Sequence, residues 1–204
     1  MEFFLLHGNL IDTIKNLGYI GASLMVFAES GLFFGFFFPG DSLLFTAGLL
    51  ASQGFFNIYV LTSFLLVSAI LGDIVGYWFG DKLGNTLLTR EDTFFLRKAH
   101  IKKAQLFYEK YGPKAVVLGR FMPIVRTFVP ILAGVAKIDY PTFMKYNILG
   151  GFIWIVGLTV AGYVLGRTVE DIDTYLLPII LFIIFISFSP LIFEFLRNKS
   201  SSKK

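Results

Sequence analysis

The chain has 204 residues, of which 55% are hydrophobic and 16% are charged, and its mean hydropathy is +0.71. This composition is typical of an integral membrane protein and excludes an ordinary soluble domain. The net charge of +4 is too modest to indicate nucleic-acid binding, and without cysteine there are no disulfides, iron–sulfur clusters or thiol chemistry. The two histidines lie far apart in sequence, so we predict no metal site and no cofactor.

The N-terminal residues mix apolar and charged side chains. They lack both a basic segment and a small-residue cleavage site, so we expect no cleaved signal peptide. Residues 3–17 carry Asp12 and Lys15 among apolar residues. A segment this short and charged would cross a bilayer poorly, which predicts a short helix at the membrane interface.

The apolar stretch 18–54 contains two acidic residues, Glu29 and Asp41. A carboxylate at bilayer depth costs roughly 2.5–3.5 kcal/mol, so two of them in one stretch indicate a function. The proline–glycine pair directly before Asp41 interrupts a continuous helix. The arm that follows, 42–53, covers about 18 Å, which reaches only the middle of a bilayer. We therefore predict a re-entrant helical hairpin with Asp41 at its tip.

Residues 57–80 have the length and apolarity of one transmembrane helix. Its second half carries glycines at four-residue spacing, at Gly72, Gly76 and Gly80. Such spacing lets another helix approach closely. We interpret these glycines, and Asp73 beside the first of them, as packing residues; a direct role in transport is the alternative.

The character of the chain changes at residues 81–112, where basic residues outnumber acidic ones. The excess of lysine and arginine predicts a cytoplasmic location. Apolar residues alternate with the basic ones, which is typical of an amphipathic helix on the inner leaflet. A solvated charged linker fits the same pattern equally well.

Residues 113–137 would suit a single span by length, but two prolines and two arginines argue against one. Broken backbone at membrane depth is tolerated only where protein or a polar cavity surrounds it. We predict a second re-entrant hairpin with its tip near Pro123 to Pro130.

Two further transmembrane helices are predicted at 143–166 and 175–196. The connection between them is acidic and suits the outside, whereas the basic C-terminus suits the cytoplasm. The same charge map puts the N-terminus outside. The whole chain is therefore predicted to be a single all-α, multi-pass membrane domain with an additional C-terminal transmembrane helix.

Two patterns recur at an offset of 86 positions: Ala47-Gly48 with Ala133-Gly134, and the Gly76 to Gly80 pattern with Gly162 to Gly166. Each copy would contain one hairpin and one span. A hairpin returns to its own side whereas a span crosses, so the second copy must be inverted, as in many secondary transporters. The hairpin tips would then meet, with Glu29 and Asp41 near Arg120 and Arg126. Charge balance lowers the cost of such a cluster.

Taken together, several motifs in residues 18–170 resemble the DedA family, which is related to the eukaryotic VTT-domain (SNARE-associated) lipid scramblases. The motifs are Phe27-x-Glu29, Phe38-Pro39-Gly40-Asp41, Gly72-Asp73-x-x-Gly76-Tyr77-x-x-Gly80, Gly119-Arg120-Phe121-x-Pro123-x-x-Arg126-Thr127-x-x-Pro130-x-x-Ala133-Gly134, and Trp154 with Gly162-Tyr163-x-x-Gly166. One departure is Gly80-Asp81, where many members have a basic residue directly after the glycine.

The resemblance implies two opposed re-entrant hairpins and movement of lipids between leaflets of a bacterial cell membrane. The acids and the arginines that matter in the family match Glu29, Asp41, Arg120 and Arg126. Bacterial members are linked to undecaprenyl phosphate recycling, to phosphatidylethanolamine flipping and to proton-dependent tolerance of alkaline pH. The partners expected are therefore a phosphate-headgroup lipid and protons, with a homo-oligomer left open.

Our hypothesis is that Arg120 and Arg126 bind the lipid phosphate, because guanidinium groups suit phosphate oxygens. Phosphate would compete with Glu29 and Asp41 for the arginines, and the released carboxylates would take up protons. A purely structural salt-bridge cluster is one alternative, and a proton-coupled cation or drug antiporter is another. No hydrolase constellation is present in the sequence, so we expect no enzyme.

Overall fold

The computed structural model describes residues 2–32, 40–89 and 106–169, together with position 178. The described residues contain helices and turns and no strand, which confirms the all-helical prediction. The helices whose two ends are described are α1 (Glu2–Gly31), α2 (Gly40–Ser52), α3 (Ile58–Thr89), α4 (Ala115–Gly119, preceded by the 3-10 turn Gly112–Lys114), α5 (Pro123–Val135) and α6 (Tyr140–Thr168), and residues 106–111 are helical as well.

Two segments are long and apolar enough to cross a membrane, Ile58–Lys82 in α3 and Tyr140–Thr168 in α6. They coincide with the predicted crossings at 57–80 and 143–166. Their outward faces carry exposed apolar side chains such as Phe64 and Phe152, as expected of helices in contact with lipid. The predicted span 175–196 lies outside the described residues.

The first helix is longer than expected. Residues 3–17 do not form a separate interfacial helix, because α1 continues without interruption from Glu2 to Gly31. This segment contains no proline, and an isolated glycine costs only about 1 kcal/mol inside a helix. The glycines at its centre therefore do not end it. Helix α3 likewise runs to Thr89, into the predicted linker 81–112, of which residues 90–105 are not described.

The turn of the second predicted hairpin lies earlier in the chain than expected. Helix α4 ends at Gly119, and α5 already begins at Pro123. Pro123 fits the first helical turn, where its missing N–H has no partner to lose. Pro130, which we expected near the tip, lies inside α5. Neighbouring helices can support a proline within a membrane helix, and Pro130 packs against Gly76 of α3.

Helix packing follows the 86-position offset seen in the sequence. Helix α3 packs mainly against α1 and α5, and α6 packs mainly against α2. A Cβ added to Gly76 would lie 3.6 Å from the Ile131 side chain, and one added to Gly162 would collide with the Phe45 carbonyl. Gly76 and Gly162, and likewise Phe45 and Ile131, are 86 positions apart. The contact of α3 with α5 and the contact of α6 with α2 therefore use positions that are 86 residues apart.

Asp139 begins α6. Its carboxylate accepts a hydrogen bond from the Thr142 N–H at 3.0 Å, which satisfies one of the unpaired donors of the first turn. Hydrogen bonds from the Thr142 side chain and backbone hold the pKa of the Asp139 carboxyl below its ordinary value of 3.8.

We expect Asp139→Ala to lower the thermal midpoint of the detergent-solubilised protein, because the helix loses its cap. A carboxyl with a depressed pKa stabilises the fold fully above the unfolded-state pKa, and this contribution disappears as pH falls through the folded-state value. The difference between wild type and Asp139→Ala should therefore be present at pH 7 and shrink below about pH 4. Midpoints measured across this range check it, and a constant difference would contradict the capping role.

Candidate functional site

Arg126 joins the two acids that the sequence singled out. Its Nη2 donates to Oε1 of Glu29, at the end of α1, and its Nη1 lies 2.9 Å from Oδ1 of Asp41, at the start of α2. Three helices therefore supply one ion cluster, because α5 carries the arginine. Both terminal nitrogens of the guanidinium are engaged, each on a different carboxylate.

The two acids differ in exposure. The Glu29 side chain is fully buried, whereas 48% of the Asp41 side chain is exposed. Arg126 itself is 5% exposed. A buried carboxylate is tolerated when it is paired and hydrogen-bonded, which Arg126 achieves for Glu29. Asp41 is thus the acid that an incoming molecule or proton can reach.

Gly40 explains how Glu29 fits against α2. Its backbone N–H donates to Oε1 of Glu29 at 3.2 Å, which satisfies a donor at the start of the helix. A Cβ on Gly40 would collide with the Glu29 carboxylate, so a larger residue would displace that carboxylate from its present position. The preceding Pro39, which we predicted as the break, lies outside the described residues.

Gly72 of α3 lies directly against α1. A Cβ added to it would lie 2.8 Å from the Phe27 carbonyl, and one added to Gly31 would lie 2.8 Å from the Gly72 carbonyl. Helices α1 and α3 therefore approach closely beside Glu29. Gly76 and Gly80 of the same helix face α5 instead. A Cβ added to Gly80 would collide with the Ile131 carbonyl.

Arg120 does not join Glu29 and Asp41, contrary to our expectation. Its Nη2 lies 2.5 Å from Oδ2 of Asp73 and donates to Oδ1 of Asn147 at 2.6 Å. Asn147 in turn donates to the Ile70 carbonyl at 3.2 Å. Arg120 lies in the turn after α4, and its partners belong to the two long helices α3 and α6. The structure therefore contains a second, separate ion pair.

Asp73 is the residue whose contact sequence reasoning missed. It is 3% exposed and pairs with Arg120, whereas its place in a glycine row led us to interpret it as a packing residue, with a role in transport as the alternative. The signal was available, because an acid inside an apolar span has the same high insertion cost that drew attention to Glu29. What could not be read from the chain was which arginine it meets.

Trp154 was noted only as part of a motif, yet it touches both ion clusters. Its Nε1 donates to Oδ1 of Asp41 at 2.7 Å. Its ring lies 5.0 Å from the guanidinium carbon of Arg126 and 5.8 Å from that of Arg120. These distances permit cation–π attraction to both arginines.

The site therefore holds three carboxylates and two guanidinium groups among the described residues. In that part of the chain, no group of three or more histidine, cysteine, aspartate or glutamate side chains could hold a metal ion. Guanidinium groups bind phosphate oxygens well, and a phosphate could take the place of the exposed Asp41 carboxylate on Arg126.

Comparisons with known proteins agree on one family. The VTT domain family matches residues 38–164. Protein DedA of Escherichia coli K12 is 36% identical over 208 residues, which cover 98% of this chain and 94% of that protein. An uncharacterized membrane protein of Mycobacterium leprae is 41% identical over 167 residues, 82% of this chain and 74% of its own length.

The inner membrane protein YqjA of Escherichia coli K12 is 35% identical over 162 residues, 77% of this chain and 74% of its own length. No solved structure matches the chain. The family match spans more than half of the chain, and the DedA identity extends over almost all of it. The chain therefore belongs to the DedA family of VTT-domain membrane proteins.

Proposed function

We propose that this protein moves a phosphate-headgroup lipid, most readily undecaprenyl phosphate, between membrane leaflets and couples that movement to protons. The observation that carries the proposal is the Arg126 cluster. One buried guanidinium is shared between a fully buried acid, Glu29, and an acid that is half exposed, Asp41. A phosphate approaching through the exposed side meets Asp41 first and can replace it on Arg126.

Exchange at Arg126 supplies the coupling. A nearby positive charge favours the ionised form of a carboxylate, so a carboxylate that loses Arg126 to phosphate binds a proton more readily. Proton uptake would thus follow lipid binding, and proton release would follow when the arginine returns. A phosphate monoester carries more charge than a diester, which favours undecaprenyl phosphate over phosphatidylethanolamine as the occupant of an arginine site.

We further propose that the site is formed by two inverted repeats, each a re-entrant hairpin followed by a transmembrane helix. The first hairpin, 18–54, contains the second half of α1 and the whole of α2, and the second hairpin, 113–137, contains α4 and α5. The proposal is supported by the contacts at equivalent positions between the two halves, Gly76 with Ile131 and Gly162 with Phe45. A cytoplasmic C-terminus and several membrane crossings complete this topology.

A second candidate is a proton-coupled antiporter of small cations or drugs. The inclusion of Asp73 favours it, because the site then has one more carboxylate than guanidinium groups. A net acidic site attracts cations, which two balanced pairs would not. Because Asp73 and Arg120 neutralise each other, the excess negative charge lies at Arg126, which is paired with both Glu29 and Asp41.

Transport by purified protein in liposomes tests the proposal. We expect a fluorescent polyprenyl phosphate to cross faster when a pH gradient is imposed, and we expect Glu29→Gln and Asp41→Asn to remove the acceleration. Asp81→Asn, which changes an exposed acid of α3, serves as the matched control. Labelled phosphatidylethanolamine and the cation ethidium are measured in parallel.

The outcomes separate the candidates. Gradient-dependent movement of ethidium without movement of either lipid would favour the antiporter. Movement of phosphatidylethanolamine alone would show that this lipid, and not undecaprenyl phosphate, is the substrate. An acceleration that persists unchanged in both acid variants would refute proton coupling through Glu29 and Asp41.

A further inference from the structure

Trp154 is the largest fully buried side chain among the described residues, with 1% of its surface exposed. It lies on α6, one of the two long helices, and contributes to the apolar core beside α1, α2 and α3. The other tryptophan, Trp78, is 53% exposed. A buried indole needs a partner for its N–H, and here that partner is an acid of the candidate site.

The indole N–H and Arg126 bind the same oxygen. Oδ1 of Asp41 accepts from Nε1 of Trp154 at 2.7 Å and from Nη1 of Arg126 at 2.9 Å. Asp41 is thus held from α6 and from α5, although nearly half of its side chain is exposed. If a phosphate displaced the Arg126 contact, the Trp154 contact would remain.

The ring of Trp154 meets charged groups from several elements. Asp41 reaches it from α2, Arg126 from α5 and Arg120 from the turn after α4. The two arginines also pair with acids of other helices, Arg126 with Glu29 of α1 and Arg120 with Asp73 of α3. One indole therefore contacts both arginines, and through them it is linked to both ion pairs.

We propose that Trp154 is a positioning residue of the transport site: its N–H keeps Asp41 in place while Arg126 exchanges partners, and its ring orients both guanidinium groups. This inference rests on the proposed function. It assigns the coupling between phosphate binding and proton uptake to a contact between α6 and α2. A side chain that only fills the core would need neither the N–H nor the charged neighbours.

Two substitutions separate the two roles of the indole. Trp154→Phe keeps an aromatic ring but removes the N–H, so we expect the pH-gradient-dependent part of transport in liposomes to fall about tenfold, a ratio equivalent to about 1.4 kcal/mol. The gradient-independent part should remain. Trp154→Leu removes the ring as well, and both parts should fall. Trp78→Phe should change neither, and unaltered gradient dependence in Trp154→Phe would overturn the proposal.

A spectroscopic measurement tests the contact without any transport assay. In the Trp78→Phe protein labelled with ¹⁵N-tryptophan, Trp154 gives the single indole N–H resonance. We expect Asp41→Ala to move it upfield, toward the position of an indole without a strong acceptor, and Asp139→Ala to leave it in place. An unmoved resonance in Asp41→Ala would overturn the proposal.

The two experiments fail independently. If the wild-type protein moves no lipid but the resonance responds to Asp41→Ala, the transport function is wrong and the Trp154–Asp41 contact stands. If lipid moves with the pH gradient but the resonance does not respond, the transport function stands and the role of Trp154 is wrong.

Discussion

Replacement of Arg126 by alanine should strongly destabilise the protein and abolish the lipid transport that we propose for it. Glu29 is fully buried and would lose the only cationic partner that the described residues give it. Removing one member of a buried ion pair typically costs about 3–5 kcal/mol, because the other charge stays buried and unpaired. Asp41 would suffer less, since its side chain is half exposed and Trp154 still donates to it.

Two further variants separate charge from geometry. Arg126→Lys keeps the positive charge but presents a compact ammonium instead of a planar fork, so stability should largely return while transport should not. The double variant Arg126→Leu with Glu29→Gln removes both charges and should also be more stable than Arg126→Ala. Thermal midpoints in detergent and transport in liposomes measure the two effects. Wild-type transport by Arg126→Lys would show that Arg126 acts only as a structural charge.

Replacement of Gly162 by alanine should destabilise the packing of α6 against α2. A Cβ at this position would collide with the Phe45 carbonyl and would lie 3.1 Å from the Leu49 backbone nitrogen. Backbone cannot rotate away as a side chain can, so the two helices must separate. Overpacking of this kind typically costs 1–3 kcal/mol, about the range that we expect here.

Gly157 provides the matched control on the same helix. No atom lies within 4 Å of a Cβ built there, so alanine meets open space. Since alanine is the better helix former, Gly157→Ala should be neutral or slightly stabilising. Thermal midpoints of both variants in the same detergent give the comparison. Equal midpoints for the two variants would show that α6 and α2 are not packed as closely as the structure describes.

The site consists of one ion pair and one cluster of three charged residues, which differ in exposure. Arg120 and Asp73 are both nearly buried, and Asn147 supports them from α6. Arg126 instead shares its charge between Glu29 and the half-exposed Asp41. The Arg120–Asp73 pair therefore resembles a structural salt bridge, whereas the Arg126 cluster has the access that exchange of a substrate would require. In the sequence the two arginines looked equivalent, but in the structure they are not.

The fold class and most charged residues of the candidate site could be predicted from the sequence. Composition and the lengths of apolar runs determined an all-helical membrane protein, because only such runs can be buried in lipid. The insertion cost of charge marked Glu29, Asp41, Arg120 and Arg126, since each must find a partner to be tolerated there. The four-residue spacing of Gly72, Gly76 and Gly80 indicated that another helix could approach there, although it did not say which one.

Only the tertiary structure decided which partners meet. The cost of a buried charge is local and can be read from the chain, whereas its pairing depends on how distant helices approach one another. Arg120 therefore meets Asp73 rather than the two acids of the first hairpin, and Trp154 bonds Asp41 across 113 positions of sequence. The turn expected near Pro130 was misplaced for a related reason. Helix α3 packs against this proline, which lets it stay within α5.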